Sequence, residues 1–189
     1  MKASSLPNLI SILRILLVVP VIFCMLEGLY QWALLLFLVA GASDGLDGFL
    51  ARRFDWTSRL GAILDPIGDK LLMVAVFLLL GVKSYLPWWL VSLVILRDVI
   101  IITGAVVYHT LIAQVDMEPL RISKLNTALQ ILLVLVVLYH LALIGPALPV
   151  IVSQVLIFAV LVTTLASGIA YVVSWGQRAQ KAVNRRKST

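Results

Sequence analysis

The sequence predicts an all-α integral membrane protein of six transmembrane helices. Three observations lead there. The chain is 62% hydrophobic and 13% charged, with a mean hydropathy of +1.08, a composition that belongs to membrane proteins. A span needs about 20 apolar residues, so 189 residues hold six spans and leave no room for a soluble domain. Polar or turn-forming breaks divide the chain at matching intervals: Glu27-Gly28, Asp55 to Ser58, Lys83 to Pro87, Gln114 to Pro119, and Gly145-Pro146.

Between the breaks, the spans fall at about 8–26, 32–53, 60–82, 88–113, 122–144 and 147–176. Residues 1–176 form one transmembrane unit, and 177–189 a basic tail. Met1 to Pro7 leads straight into the first span with no small-residue cleavage site, so no cleaved signal is expected. No internal repeat and no low-complexity segment is visible. The single cysteine, Cys24, excludes an internal disulfide and a thiolate metal cage, and reads as apolar filler. The net charge of +6 suits nucleic acid or anionic lipid. In so apolar a chain the lipid is the expected partner and nucleic acid is not.

The first helix opens with Pro7-Asn8-Leu-Ile-Ser11-Ile-Leu-Arg14. Asn8, Ser11 and Arg14 fall roughly on one face. They read either as an interfacial cap with a snorkelling arginine or as groups holding a phosphate, with Asn8 and Arg14 as the binding pair.

The second and third helices carry the densest chemistry. Asp44, Asp47, Asp65 and Asp69 fall within 26 residues whose flanks are strongly apolar. Acids in such a setting are expensive to keep charged, and intramembrane acids mark functional sites. At about 100° per residue, Asp44, Asp47, Gly48, Ala51 and Arg52 share one side of helix 2. Gly61, Asp65 and Asp69 step by four along helix 3. Joined by the short loop Phe54 to Leu60, the two helices can aim four carboxylates into one cleft. Such charges would repel unless hard divalent cations neutralised them, and two cations about 4 Å apart form a clamp for phosphoryl displacement. Gly48, Ala51 and Gly61 add little bulk, so a flat or phosphorylated ligand can approach the backbone. Lys70 follows the stripe, placed to pair with an acid or to touch a lipid phosphate.

Helix 4 holds Arg97-Asp98 at mid-span, where charge is costly unless it faces the bundle interior. The pair reads as a structural ion pair, or as an Arg97 that binds an acceptor phosphate. Trp32, Trp88 and Trp89 sit at helix ends, as an aromatic belt requires. His109 and His140 have no metal-like partners nearby in sequence and read as packing residues. Helix 5 opens on Glu118-Pro-Leu-Arg121-Ile-Ser123-Lys124-Leu-Asn126-Thr127, with Gln130 one turn on. That is unusually polar for a span. Ser123, Asn126, Thr127 and Gln130 fall largely on one face, and an acceptor site beside the aspartates is the preferred reading over a plain basic helix start.

Positive residues set the orientation. With both termini on one side, that side holds Lys2, Arg52, Arg53, Arg59, Arg121, Lys124, Arg178, Lys181, Arg185, Arg186 and Lys187, against Lys83 alone on the other. Both termini are therefore expected in the cytoplasm, with the acidic cleft at the cytoplasmic ends of helices 2 and 3.

The pattern D-x2-D-G-x2-A-R-x8-G-x3-D-x3-D, matched here from Asp44 to Asp69 at every fixed position, resembles the signature of the CDP-alcohol phosphotransferase family, integral membrane enzymes of phospholipid synthesis. The resemblance covers nearly the whole chain. It implies the family's six-helix fold, a homodimer, and a metal-dependent phosphatidyl transfer from CDP-diacylglycerol that releases CMP. It implies metal binding by Asp44, Asp47, Asp65 and Asp69, with two Mg²⁺ or Mn²⁺ ions, and Asp69 as the base toward the acceptor hydroxyl. Asp44, Asp47, Gly48, Ala51 and Gly61 would line the CDP site, with Arg52 toward a phosphate. The family also carries a similar Pro-Asn…Arg opening to its first helix, and a Lys-x2-Thr that Lys124 and Thr127 match.

Two branches of the family fit. One uses glycerol 3-phosphate as acceptor, a small dianion that favours several basic residues near the cleft. Here no basic residue follows Arg97-Asp98 until Arg121. The other, the CMP-forming cardiolipin synthases, uses phosphatidylglycerol, and its Ser-Lys-x-Asn-Thr-Ala-x-Gln is similar to Ser123 to Gln130. Phosphatidylglycerol is the preferred acceptor, with Asn8, Arg14, Arg97, Ser123, Lys124, Asn126 and Thr127 as the acceptor or phosphate residues. A cation transporter also uses buried acids, but no inverted repeat or pair of interrupted helices is present to support one.

Overall fold

A computed structural model describes residues 6–54, 61–111, 120–145 and 149–187. They form six helices: α1 (Leu6–Leu26), α2 (Tyr30–Phe54), α3 (Gly61–Val82), α4 (Trp88–Leu111), α5 (Arg121–Leu143) and α6 (Val150–Lys187). The described part of the chain contains no strand. Each expected span has its helix. The largest difference lies in α6, which runs through the basic tail to Lys187. Beyond Gly176 that tail has no glycine or proline and is rich in Arg, Lys, Gln and Ala, residues that sustain a helix.

The breaks work through the backbone. After α1, Gly28 takes φ 74° while the Leu29 N–H reaches back to the Cys24 carbonyl at 2.8 Å. This is a left-handed cap that satisfies a carbonyl left orphaned at the helix end. Ser84 does the same after α3, at φ 61°, with the Tyr85 N–H on the Leu80 carbonyl at 2.9 Å. Pro20 sits inside α1. It lacks the N–H that would bond the Leu16 carbonyl, a defect that membrane helices tolerate.

The chain divides into two units. The first comprises Met1–Leu86 and Val134–Leu148. In it α1 packs against both α2 and α3, around Val21, Met25, Ala33, Phe37, Val76, Phe77 and Leu80. The helix ends meet in a defined way. The Lys83 ammonium donates to the Leu26 carbonyl at 2.8 Å, placing a cation at the negative end of α1. Tyr30 and Tyr85 meet edge to face, ring centres 5.9 Å apart and hydroxyls 3.2 Å apart. Gln31 donates to the Ala142 carbonyl at 3.1 Å. His140, buried, lies 2.8 Å from the Gly145 carbonyl through Nδ1, which is a packing role.

The second unit comprises Pro87–Leu133 and Pro149–Thr189. There α4 packs against α6. Apolar side chains Leu90, Val91, Val94, Leu133 and Val160 are buried beside a set of buried polar ones.

Outward faces are as apolar as the interiors. Val19 is 67% exposed, Ile151 77% and Phe158 66%. Such faces are stable against lipid and not against water. Two helices are long and apolar enough to cross a bilayer among the described residues, Arg121–Leu143 and Val150–Ser174, with mean hydropathies of 2.0 and 2.3. Ile12–Leu26, Tyr30–Ser43 and Lys70–Val82 are shorter apolar stretches. Trp32, Trp88 and Trp89 are all exposed near helix starts, the placement of interfacial anchors.

Candidate active site

The acidic motif lies on two helices of the first unit. Asp44, Asp47, Gly48, Ala51 and Arg52 occupy the last turns of α2, and Gly61, Asp65 and Asp69 the first turns of α3. Both stretches are helical. Tyr30 at the start of α2 pairs with Tyr85 just past α3, so these two helices run antiparallel. The motif therefore occupies the opposite end of the unit. Asp44 is about 21 Å from Tyr30 along the axis at 1.5 Å per residue. The side chains of Asp44, Asp47, Ala51, Arg52, Asp65 and Asp69, the surroundings of Gly48 and Gly61, and the side chains of Asn8 and His109 lie outside the described ones. Among the described residues no group of three or more His, Cys, Asp or Glu could hold a metal. Arg14 is buried in α1, with 1% of its surface exposed.

A second polar cluster lies inside the second unit, built by three helices. Arg97 of α4 is 4% exposed. Its Nη1 donates to Asp98 Oδ1 at 2.7 Å, its Nη2 to Ser123 Oγ of α5 and Ser167 Oγ of α6 at 2.5 Å each, and its Nε to Ser167 Oγ at 3.2 Å. A guanidinium offers five donors in a rigid fork. Here the fork ties α4 to α5 and α6, with a carboxylate beside it to balance the charge. One turn further along α5, Asn126 is fully buried, and its Oδ1 accepts from Thr163 Oγ1 and Thr164 Oγ1, both at 2.9 Å. Gln130 is buried on the same face. Its Nε2 and Asn126 Nδ2 make no hydrogen bond among the described residues.

The expected acceptor residues thus divide. Ser123, Asn126 and Gln130 turn inward, and Arg97 joins Ser123. Lys124 and Thr127 are exposed, and the Thr127 hydroxyl bonds back to the Ser123 carbonyl at 3.2 Å. Arg97 takes the ion-pair arrangement with Asp98 that its sequence position allows.

Sequence reasoning passed over Thr163, Thr164 and Ser167. A signal was there: three hydroxyls at i, i+1 and i+4 in a helix of mean hydropathy 2.3, where polar groups turn toward protein. Small hydroxyls are common in apolar helices, though, and only their partners on α4 and α5 make them a cluster.

The model of one protein family, described as CDP-alcohol phosphatidyltransferase, matches residues 4–173. Several known proteins are similar. A cardiolipin synthase (CMP-forming)/mitochondrial hydrolase fusion protein of Schizosaccharomyces pombe is 35% identical over 188 residues, covering 90% of this chain and 31% of that protein. The cardiolipin synthase (CMP-forming) of Rattus norvegicus is 36% identical over 146 residues, 69% of this chain and 48% of that one. A chloroplastic CDP-diacylglycerol–glycerol-3-phosphate 3-phosphatidyltransferase of Oryza sativa subsp. japonica is 36% identical over 197 residues, 92% of this chain and 57% of that one. The chain spans about a third to somewhat over half the length of these relatives.

Proposed function

We propose, since the chain belongs to the CDP-alcohol phosphatidyltransferase family, that it transfers the phosphatidyl group of CDP-diacylglycerol to a hydroxyl of phosphatidylglycerol, forming cardiolipin and CMP. The observation that carries the reading is the complete aspartate motif on the helical ends of α2 and α3. Two relatives named cardiolipin synthase support the acceptor.

The donor set fits the metal the family uses. Four carboxylates are hard oxygen ligands of the type that Mg²⁺ and Mn²⁺ take, and their helical spacing groups them by side. Two such ions, held by Asp44, Asp47, Asp65 and Asp69, would supply charge stabilisation for the pyrophosphate and for CMP as it leaves. The residues do the rest. Gly48, Ala51 and Gly61 leave room for the nucleotide, and Arg52 meets a phosphate. Asp69 takes the proton of the acceptor hydroxyl. The acceptor oxygen bonds to the phosphorus on the diacylglycerol side, the bond from that phosphorus to the bridging oxygen breaks, and CMP carries the charge away. Asn8, Arg14, Arg97, Ser123, Lys124, Asn126 and Thr127 are assigned to the acceptor or its phosphate. Of these, Lys124 and Thr127 are exposed for direct contact, whereas Arg97 and Asn126 are already engaged by protein and act by holding α5 in place.

In this reading all six helices cross a bacterial inner membrane or its equivalent, both termini are cytoplasmic, residues 1–176 form the catalytic unit, 177–189 form a basic cytoplasmic tail, and the protein works as a homodimer. The second reading has glycerol 3-phosphate as acceptor, which the rice relative's name favours.

The deciding experiment supplies purified protein with CDP-diacylglycerol, Mg²⁺ or Mn²⁺, and one acceptor at a time. Cardiolipin and CMP are expected with phosphatidylglycerol. Conversion of glycerol 3-phosphate with phosphatidylglycerol untouched would move the chain to the other branch. Absence of CMP release with both acceptors would remove the assignment to these two branches.

A further inference from the structure

Ser167 of α6 is fully buried. Its hydroxyl oxygen accepts from both Nε and Nη2 of Arg97. Those two nitrogens share one edge of the guanidinium, so a single oxygen sets the plane of the fork. The stem of Arg97 rests on α6 as well, its Cγ 3.8 Å from the place a Cβ on Gly168 would take. The arginine therefore meets α6 at two successive residues. Because α4 itself packs directly on α6, Arg97 is held from both helices.

The described bonds that tie α5 to this pair run through side chains. Asn126 accepts from the Thr163 and Thr164 hydroxyls. Ser123, one turn nearer the start of α5, accepts from Arg97 Nη2. From there the bonds continue outward. The Ser123 carbonyl accepts from the Thr127 hydroxyl, and Lys124 is the next residue in the chain. Lys124 and Thr127 are both exposed. A line of support thus runs from Ser167 through Arg97 and Ser123 to two outward polar groups of α5. Its inner end is dry, with Ser167 and Arg97 at 0% and 4% exposure, so no water stands ready to replace a lost bond.

We infer that Ser167 is a positioning residue for the acceptor. It acts through Arg97, which holds Ser123 and so sets where the Lys124 ammonium and the Thr127 hydroxyl stand. The inference rests on the assignment of Lys124 and Thr127 to the acceptor made above. Without the Ser167 oxygen, the Arg97 Nε–H has no acceptor in an apolar interior. The guanidinium keeps Asp98 but loses its seat on α6, and the start of α5 loosens with it. The aspartate motif lies on α2 and α3, which take no part in this line, so the donor lipid should not feel the change.

Two measurements test it, one of them without turnover. A nitroxide is attached at Leu125→Cys, an exposed position beside Lys124, in protein carrying Cys24→Ala. Ser167→Ala should raise the mobility of the label, and Ser167→Thr, which keeps the oxygen, should not. Leu90→Ala, at a buried site of α4 outside the line, should leave the label unchanged while destabilising the same unit. The second measurement is steady-state kinetics with CDP-diacylglycerol, Mg²⁺ and the acceptor the protein uses. Ser167→Ala should raise the KM for the acceptor about tenfold, the worth of one hydrogen bond to a charged group, with the KM for CDP-diacylglycerol unchanged. Ser167→Thr should restore it. In a Lys124→Met/Thr127→Val background Ser167→Ala should add nothing further. A label that stays immobile in Ser167→Ala, or that loosens equally in Leu90→Ala, would overturn the line of support. A loosened label with an unchanged acceptor KM would overturn the role in acceptor binding. If the unaltered protein releases no CMP with either acceptor, the reading beneath this inference falls and the acceptor role with it, while the label still decides whether Ser167 holds α5.

Discussion

At the scale of single residues, the four aspartates differ in what their loss should do. Asp69 closes the stripe on α3, four residues after Asp65. If it takes the acceptor proton, Asp69→Asn should lower turnover by about 10²–10⁴-fold while CDP-diacylglycerol still binds in the presence of metal. Asp44→Asn and Asp65→Asn should weaken both binding and turnover. Equilibrium binding and CMP release measured on the three variants separate these roles, and near wild-type turnover of the Asp69 variant would remove it from the part. Asp98 is a different acid. It is buried beside Arg97 at 2.7 Å, and removing one partner strands a buried charge. Asp98→Ala should destabilise by about 3–5 kcal/mol, read from reversible unfolding in mixed micelles, with no change in metal affinity per folded molecule.

At the scale of the element, α5 shows how a single helix serves two purposes. Its inward face bonds α4 through Ser123 and α6 through Asn126, with Gln130 also buried, and its outward face carries Lys124 and Thr127. Asn126→Leu leaves the Thr164 hydroxyl without its acceptor, while Thr163 keeps the Ala159 carbonyl at 2.8 Å, and should cost about 1–3 kcal/mol of stability. Thr127→Val, at an exposed site bonded only to its own helix, should change stability by about 0.5 kcal/mol or less. If Thr127 contacts the acceptor, its KM should rise all the same. Unfolding and steady-state kinetics on the two variants test this division, and a stability loss at Thr127 equal to that at Asn126 would contradict it. The α6 helix carries a similar duality, with Ser167 on Arg97 and Ile169 outward.

At the scale of the whole molecule, the charge distribution and the metal make the testable statements. Reporters fused near Met1 and after Thr189 should read cytoplasmic, and one inserted at Ser84 should read the opposite side. The excess of basic residues at the predicted cytoplasmic loops and termini leads to that outcome, and a cytoplasmic signal at Ser84 would overturn the six-span topology. Activity should disappear in excess chelator and return on adding Mg²⁺ or Mn²⁺, because four carboxylates on two helix ends need neutralising. Full turnover in metal-free buffer would end the metal-dependent account.

The helix count and the breaks were legible in the sequence because they are local. Apolar runs of span length and the turn residues between them, such as Gly28, act through backbone geometry and transfer energy, which need no distant partner. That the acidic motif lies on two helices was legible for the same reason. Lys83 shows the limit. In the sequence it was the lone basic residue on its side, and only the meeting of α1 with α3 made it the cap on the Leu26 carbonyl. The outcome for Arg97-Asp98 likewise needed Ser123 and Ser167, which stand 26 and 70 residues away in the chain. Hydrogen bonds of a buried fork depend on which helices lie alongside, and helix periodicity alone does not say.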